Sequence, residues 1–175
     1  MRRLGFLCLA ALLVSNACNQ VPELSATTAQ TRAVETLFPL IEELHVDAYW
    51  VDDECRYFHY PRGSFSNDTS VDGSCRVWDY PDPEAFDAQA NTDIDRLIKA
   101  IRDTHAGVDY MSIEPSGGVP GGVGSGSWFG IGPCDNLVYD PGSVDFPGQP
   151  VAVDVPGGEI RSPVTPDWYE DVSAC

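Results

Sequence analysis

Ile94, Leu97, Ile98 and Ile101 recur at the spacing of one helical face, in a stretch whose other positions carry Asp93, Asp95, Arg96 and Lys99. A stripe of that kind has to be buried against a second layer of structure. Asn91 or Thr92 is placed to cap this helix, Asp93 and Asp95 suit the positive end of its dipole, and Gly107 is placed to stop it. A second helical pattern runs from Thr31 to Leu44, with Val34, Leu37, Phe38, Ile41 and Leu44 on one face and a kink expected at Pro39.

The segments around these helices read as strands. Val46 to Val51, Cys55 to Tyr60, Cys75 to Trp78, Ser127 to Ile131 and Asn136 to Tyr139 are rich in β-formers, and Val108 to Ile113 alternates cleanly. The run "DYPDPEAFD" carries too much proline for either regular element, and "SGGVPGGVGSG" reads as a flexible hairpin loop. From Pro141 to Cys175 the only strand candidate is Val151 to Val155; the rest is expected to lie as extended coil on the sheet, pinned by Trp168, Tyr169 and Cys175. The expected class is α+β: two helices packed on one face of a small, mainly antiparallel sheet, followed by a Pro/Gly-rich tail.

At the amino terminus Arg2 and Arg3 precede an apolar run from Leu4 to Val14, and Ser15-Asn16-Ala17 supplies small residues for cleavage. Residues 1–17 therefore read as an export signal, too short to span a bilayer. Cys18 directly after it resembles the bacterial lipoprotein signal, which implies a lipid on its thiol and attachment to the membrane. Residues 18–28 then read as a tether and 29–175 as one domain.

Cysteine parity agrees with that reading. Cys8 leaves with the signal, and a lipidated Cys18 leaves Cys55, Cys75, Cys134 and Cys175, an even four suited to disulfides in an oxidising space. Cys55 and Cys75 border strand-like segments, so they are expected to pair, a closure worth on the order of 3 kcal/mol in the chain-entropy model, leaving Cys134 for Cys175.

The formal charge of −17 becomes −19 once Arg2 and Arg3 leave with the signal. Such a surface repels phosphate backbones, so nucleic acid is not an expected partner. In the loop "SNDTSVDGSCRVWD", Asp68, Ser70, Asp72, Gly73 and Asp79 fall at positions 1, 3, 5, 6 and 12 of a calcium loop. The flanks oppose a helix-loop-helix site, since Pro61 and Gly63 precede it and Pro81 and Pro83 follow, while Arg76 places a positive charge inside it. A disulfide-closed turn at Asp72-Gly73 is the expectation, with Asp68, Ser70, Asp72 and Asp79 kept as candidate calcium ligands; no other cofactor is indicated.

No catalytic residue is assigned. His45, His59 and His105 lack the close spacing of a zinc site, Ser125 and Ser127 lack the frame of a nucleophile elbow, and a Cys55–His59 pair fails once Cys55 is oxidised. Asp52, Asp53 and Glu54 could join a glycosidase-like carboxylate pair, although a charge run is usually a solvated turn. Aromatic residues crowd the first half of the chain, and Trp50, Tyr57, Tyr60 and Trp78 are the binding candidates, able to stack on a sugar ring or a protein partner.

The pieces "LFPLIEEL", "CRYFHYPRGSFSN", "FDAQANTDIDRLIKAI" with "AGVDYM", then "LVYDPG" and the closing "DWY" resemble small exported proteins of actinobacterial type. The resemblance implies export and one α+β domain, and brings no catalytic residue with it. Together these readings give an exported, lipid-anchored protein on the extracytoplasmic face of the membrane, with a non-catalytic binding or structural role toward an envelope protein or glycan. A wall-glycan hydrolase using paired carboxylates and a calcium-responsive adhesion module are the alternatives.

Overall fold

The structure, a computed structural model, describes residues 26–70, 75, 80–114, 122–132, 135–141, 151–152 and 160–172. Its helices are α1 (Thr28–Glu35), α2 (Phe38–Leu44) and α3 (Ala88–Thr104). The strands are β1 (Ala48–Val51), β2 (Arg56–Tyr60), β3 (Gly63–Ser66), β4 (Glu84–Ala85), β5 (Tyr110–Ser112), β6 (Ser127–Gly130), β7 (Asp135–Tyr139), β8 (Val151–Ala152), β9 (Ile160–Thr165) and β10 (Trp168–Val172). They form one sheet in the order β4-β3-β2-β1-β5-β6-β7-β10-β9-β8, antiparallel throughout except for the short β3/β4 pair. The class is α+β, as the sequence pattern predicts. Among the described residues no helix is long and apolar enough to cross a membrane.

The first helical segment breaks earlier than Pro39. A proline ring clashes with the carbonyl four residues back, which here belongs to Glu35. The chain therefore closes α1 at Glu35, buries Leu37 at the bend, and restarts with Pro39 in the first turn of α2, where its missing N–H costs nothing. Both α2 and α3 end on a histidine in the left-handed region, His45 (φ 53) and His105 (φ 55). In each case the next residue sends its N–H back to the last turn, Val46 to Ile41 O (3.0 Å) and Ala106 to Ile101 O (3.3 Å), and is itself buried. Helix α3 thus stops at His105, before Gly107. It also starts earlier than expected: Asp87 is the cap, accepting from Ala90 N (2.6 Å), while Asn91 and Thr92 side chains bond back to Asp87 O and Ala88 O inside the first turn.

The tail departs most from expectation. It is not coil over the sheet: β9 and β10 form a hairpin, and β10 lies between β7 and β9 as an interior strand. Proline is accommodated because Pro163 faces Tyr169 where the register shifts and Pro166 sits in the turn. Glu84–Ala85 forms a strand within the proline-rich run, at the sheet's edge. Strand β3, missed by the sequence reading, pairs directly back on β2 across Pro61-Arg62.

One face of the sheet carries the core. Phe38 of α2 packs on Phe129, Tyr139 and Trp168, and Tyr60 donates to Asp93 of α3 (3.2 Å). Trp168 is 0 % exposed and donates its indole N–H to Glu35 at 2.8 Å. Ala26, in the stretch read as tether, is already seated, its N–H on Glu170 Oε1 (3.1 Å). The segment before it, with Cys18, lies outside the described residues.

Because Trp168 is an interior pillar and not a pin on the surface, Trp168→Ala should cost about 3–5 kcal/mol in urea unfolding. A loss under about 1 kcal/mol would mean that the tail only rests on the sheet.

Candidate functional site

Strand pleating sends alternate residues to the face turned away from the helices. Register places two rows there. One runs Ser64, His59, Ala48, Ser112, Trp128, Val138 and Tyr169; the next runs Ser66, Tyr57, Trp50, Tyr110, Gly130, Asn136 and Asp171. Trp50 and Tyr110 are direct cross-strand partners, and Trp128 lies diagonally across from Tyr110, within reach of an aromatic ring. All three are half-buried, so each presents part of its ring to solvent.

Trp50 is held in place from the β1–β2 turn. Its indole Nε1–H donates to Asp52 Oδ2 (3.0 Å), while Asp52 Oδ1 accepts from the N–H of Glu54 (2.9 Å) and Cys55 (2.7 Å). Those backbone donors hold the Asp52 carboxyl below the usual carboxylate range against a smaller effect of burial, with a lesser contribution from the indole. Cys55 in turn is paired with Cys75, Cα atoms 5.3 Å apart, which fixes the base of the turn to the segment after β3. Ser66 Oγ donates to Cys75 O (3.0 Å), a second tie to the same segment.

Asp109 lies beside this corner. It sits over Gly130, where an added Cβ would stand 2.9 Å from Asp109 Oδ1, 3.0 Å from Tyr110 Cβ and 3.6 Å from Asn136 Oδ1. A glycine is what lets that carboxylate nest against the sheet. Loss of water around it pushes Asp109 above the usual range, the N–H groups of Asp109 and Tyr110 pull it back, and the charge on Asp52 adds to the rise. A depression of about 480 Å³ is lined by Val51, Asp52, Asp53, Glu54 and Asp109. The site therefore joins aromatic rings, two carboxylates held at different protonation tendencies, and the Asn136 amide.

The candidates read from sequence separate. Trp50 belongs to this site. Tyr57 lies on the same face but is 0 % exposed, beneath the site's surface. Tyr60 points to the other face, into the core with Phe58 and Phe65, and cannot share a platform with Trp50. Trp78 lies outside the described residues. Of the calcium candidates, Asp68 Oδ1 closes a local turn by accepting from Ser70 N (3.0 Å) and Ser70 Oγ (2.7 Å), while Asp72 and Asp79 lie outside the described residues. Among the described residues no group of three acidic, histidine or cysteine side chains gathers at metal-binding geometry. Cys134 and Cys175 also lie outside the described residues.

Sequence reading missed Tyr110, Trp128 and Asp109. The alternation of Val108 to Ile113 already places Tyr110 on one face; that Trp50 is its neighbour depends on β5 pairing with β1, which no local signal specifies. No known protein family, curated protein or solved structure matches this chain.

The Asp52 clamp has a pH signature. Because its folded pKa is depressed, its contribution is present above the unfolded value of about 3.9 and is lost as pH falls through the lower folded value. Fluorescence assigned to Trp50 by difference with Trp50→Phe should shift with a midpoint below pH 3.8 and lose that transition in Asp52→Ala. A midpoint at or above 3.8 would show that Asp52 is not held by the turn.

Proposed function

We propose that this chain is an exported, lipid-anchored envelope protein that binds neutral saccharide on the outer face of its sheet. The observation that carries the reading is the Trp50–Tyr110 pair with Trp128 beside it, half-exposed and flanked by Asp52, Asp109 and Asn136. Aromatic faces take the apolar side of a sugar ring, and carboxylate and amide oxygens accept from its hydroxyls. The strongly acidic chain disfavours anionic glycans by long-range repulsion, which leaves neutral ones. Membrane attachment rests on the signal and on Cys18: replacing Cys18 by Ala should move the protein from the membrane fraction to the medium.

Retention on insoluble neutral wall polysaccharide tests the binding half. Trp50→Ala should weaken it about tenfold, the scale of one lost stacking contact. Retention that is absent for the parent chain, or unchanged in Trp50→Ala, would remove this reading.

One observation favours a second reading, hydrolysis of the same glycan. Asp52 is held toward the ionised form and Asp109 toward the protonated form in one depression, the division of labour a glycosidase needs. Release of reducing ends by the parent chain, abolished in Asp109→Asn with retention kept, would establish it; retention without any release leaves the binding protein alone.

A further inference from the structure

On the same outer face, one pleat repeat away from Trp50 and Tyr57, two side chains of a different chemistry meet across adjacent strands, with a third beside them from the residue before β1. His59 of β2 and Ser64 of β3 are direct cross-strand partners, and Ser64 Oγ lies 2.8 Å from His59 Nδ1. On the far side of the imidazole, Nε2 stands 3.7 Å from Asp47 Oδ2, the residue just before β1, whose N–H bonds to His59 O (3.0 Å). Tyr57 donates its hydroxyl to Ser64 Oγ at 3.4 Å. With the imidazole proton on Nε2, Ser64 donates to Nδ1 and the donors run one way, from Tyr57 through Ser64 and His59 toward Asp47. Tyr80 roofs the imidazole, ring centroids 4.3 Å apart, and bonds to Asp47 O (3.3 Å).

We infer that Ser64, His59 and Asp47 form an ester-cleaving site, with Ser64 as nucleophile, His59 as its base and Asp47 as the group that orients His59. The inference goes beyond saccharide binding and does not depend on it. Ser64 is 4 % exposed and Tyr80 closes over His59, so the fitting substrate is a carboxylic ester with a small acyl group such as acetyl.

The chemistry balances with water as the only co-reactant. Ser64 Oγ gives its proton to His59 Nδ1 as its bond to the acyl carbon forms, and the carbonyl electron pair moves onto oxygen. The Tyr57 hydroxyl, directed at Oγ, steadies the attacking oxygen. Collapse expels the alcohol, which takes the proton from Nδ1, and leaves acyl-Ser64. Water then repeats the sequence, passing its proton to Nδ1 and releasing the acid, and Ser64 Oγ recovers its proton. Nε2–H faces Asp47 throughout. That separation is long for a hydrogen bond and has to tighten when the imidazolium forms, as unliganded sites commonly do. Burial holds His59 below its usual range, the Asp47 charge opposing it, so the imidazole is a free base at neutral pH.

From the sequence, His59 lacks the spacing of a metal site and its one candidate nucleophile, Cys55, is expected to be oxidised, while the serines weighed are Ser125 and Ser127 and not Ser64. His59 and Ser64 meet only because a two-residue turn folds β3 back on β2.

The test uses the full chain with 4-nitrophenyl acetate as substrate and a fluorophosphonate as covalent probe. Turnover above the buffer rate is expected, with the probe mapped to the peptide containing Ser64. Ser64→Ala and His59→Gln should each lower turnover at least about 100-fold while the melting transition is kept, and Asp47→Asn should lower it by a smaller factor. Should Ser64→Ala fail to fold, probe labelling of the parent, and its competition by the acetyl ester, carries the decision. Labelling elsewhere, no labelling at all, or a Ser64→Ala chain that folds and keeps its rate would overturn the inference. A parent chain that cleaves no ester but is retained on polysaccharide would remove this site and leave the saccharide reading standing.

Discussion

The buried indole of Trp168 ties the last described strand to the first helix. A buried tryptophan needs an acceptor for its N–H, and Glu35 supplies one at 2.8 Å. Glu35 is free to do so because Pro39 forces α1 to end there, and the bend that follows swings Phe38 onto the rings of Phe129, Tyr139 and Trp168. The same strand receives the chain's entry through Ala26 and Glu170. Helix break, aromatic cluster and the interior position of β10 therefore stand or fall together. Such contacts join residues far apart in sequence, so loop-closure entropy must be met before the core rewards it.

That arrangement divides the sheet by chemistry. Toward the helices lie the residues that hold the fold, with Arg56 reaching Asp95, Arg62 reaching Asp87 and Arg96 reaching Glu43 around the rim as exposed ion pairs of small individual weight. Away from the helices, the pleat sets polar and aromatic side chains in ordered rows, some buried and some part-exposed, and the two proposed sites lie on neighbouring strands, one on β1, β5 and β6 and the other on β2 and β3. Their rigidity comes from the sheet itself: each functional side chain sits on a strand or on a turn clamped by backbone hydrogen bonds and by the Cys55–Cys75 pair.

What could be read from sequence follows from how local the cause is. The stripe of Ile94, Leu97, Ile98 and Ile101 and the alternation of Val108 to Ile113 are local periodicities, and both gave the right element. The Cys55–Cys75 pairing followed from parity and closeness along the chain. Boundaries were less legible, since Asp87 outcompetes Asn91 and Thr92 as cap only in the folded helix, where Arg62 also reaches it. The tail was misjudged because proline content argues against strands on average, whereas Pro163 and Pro166 occupy the two kinds of position that tolerate it.

The sequence by itself determined the element types, the α+β class, the first disulfide and the acidic character of the surface, all consequences of composition and short-range spacing. Only the tertiary structure decided that Tyr60 faces the core while Trp50 meets Tyr110, that Asp109 nests over Gly130, and that His59 and Ser64 share one row with Asp47 beside the imidazole. The reason is strand order and register: a period of two tells which residues share a face within one strand, but which strands lie side by side is set by how the whole sheet closes its core.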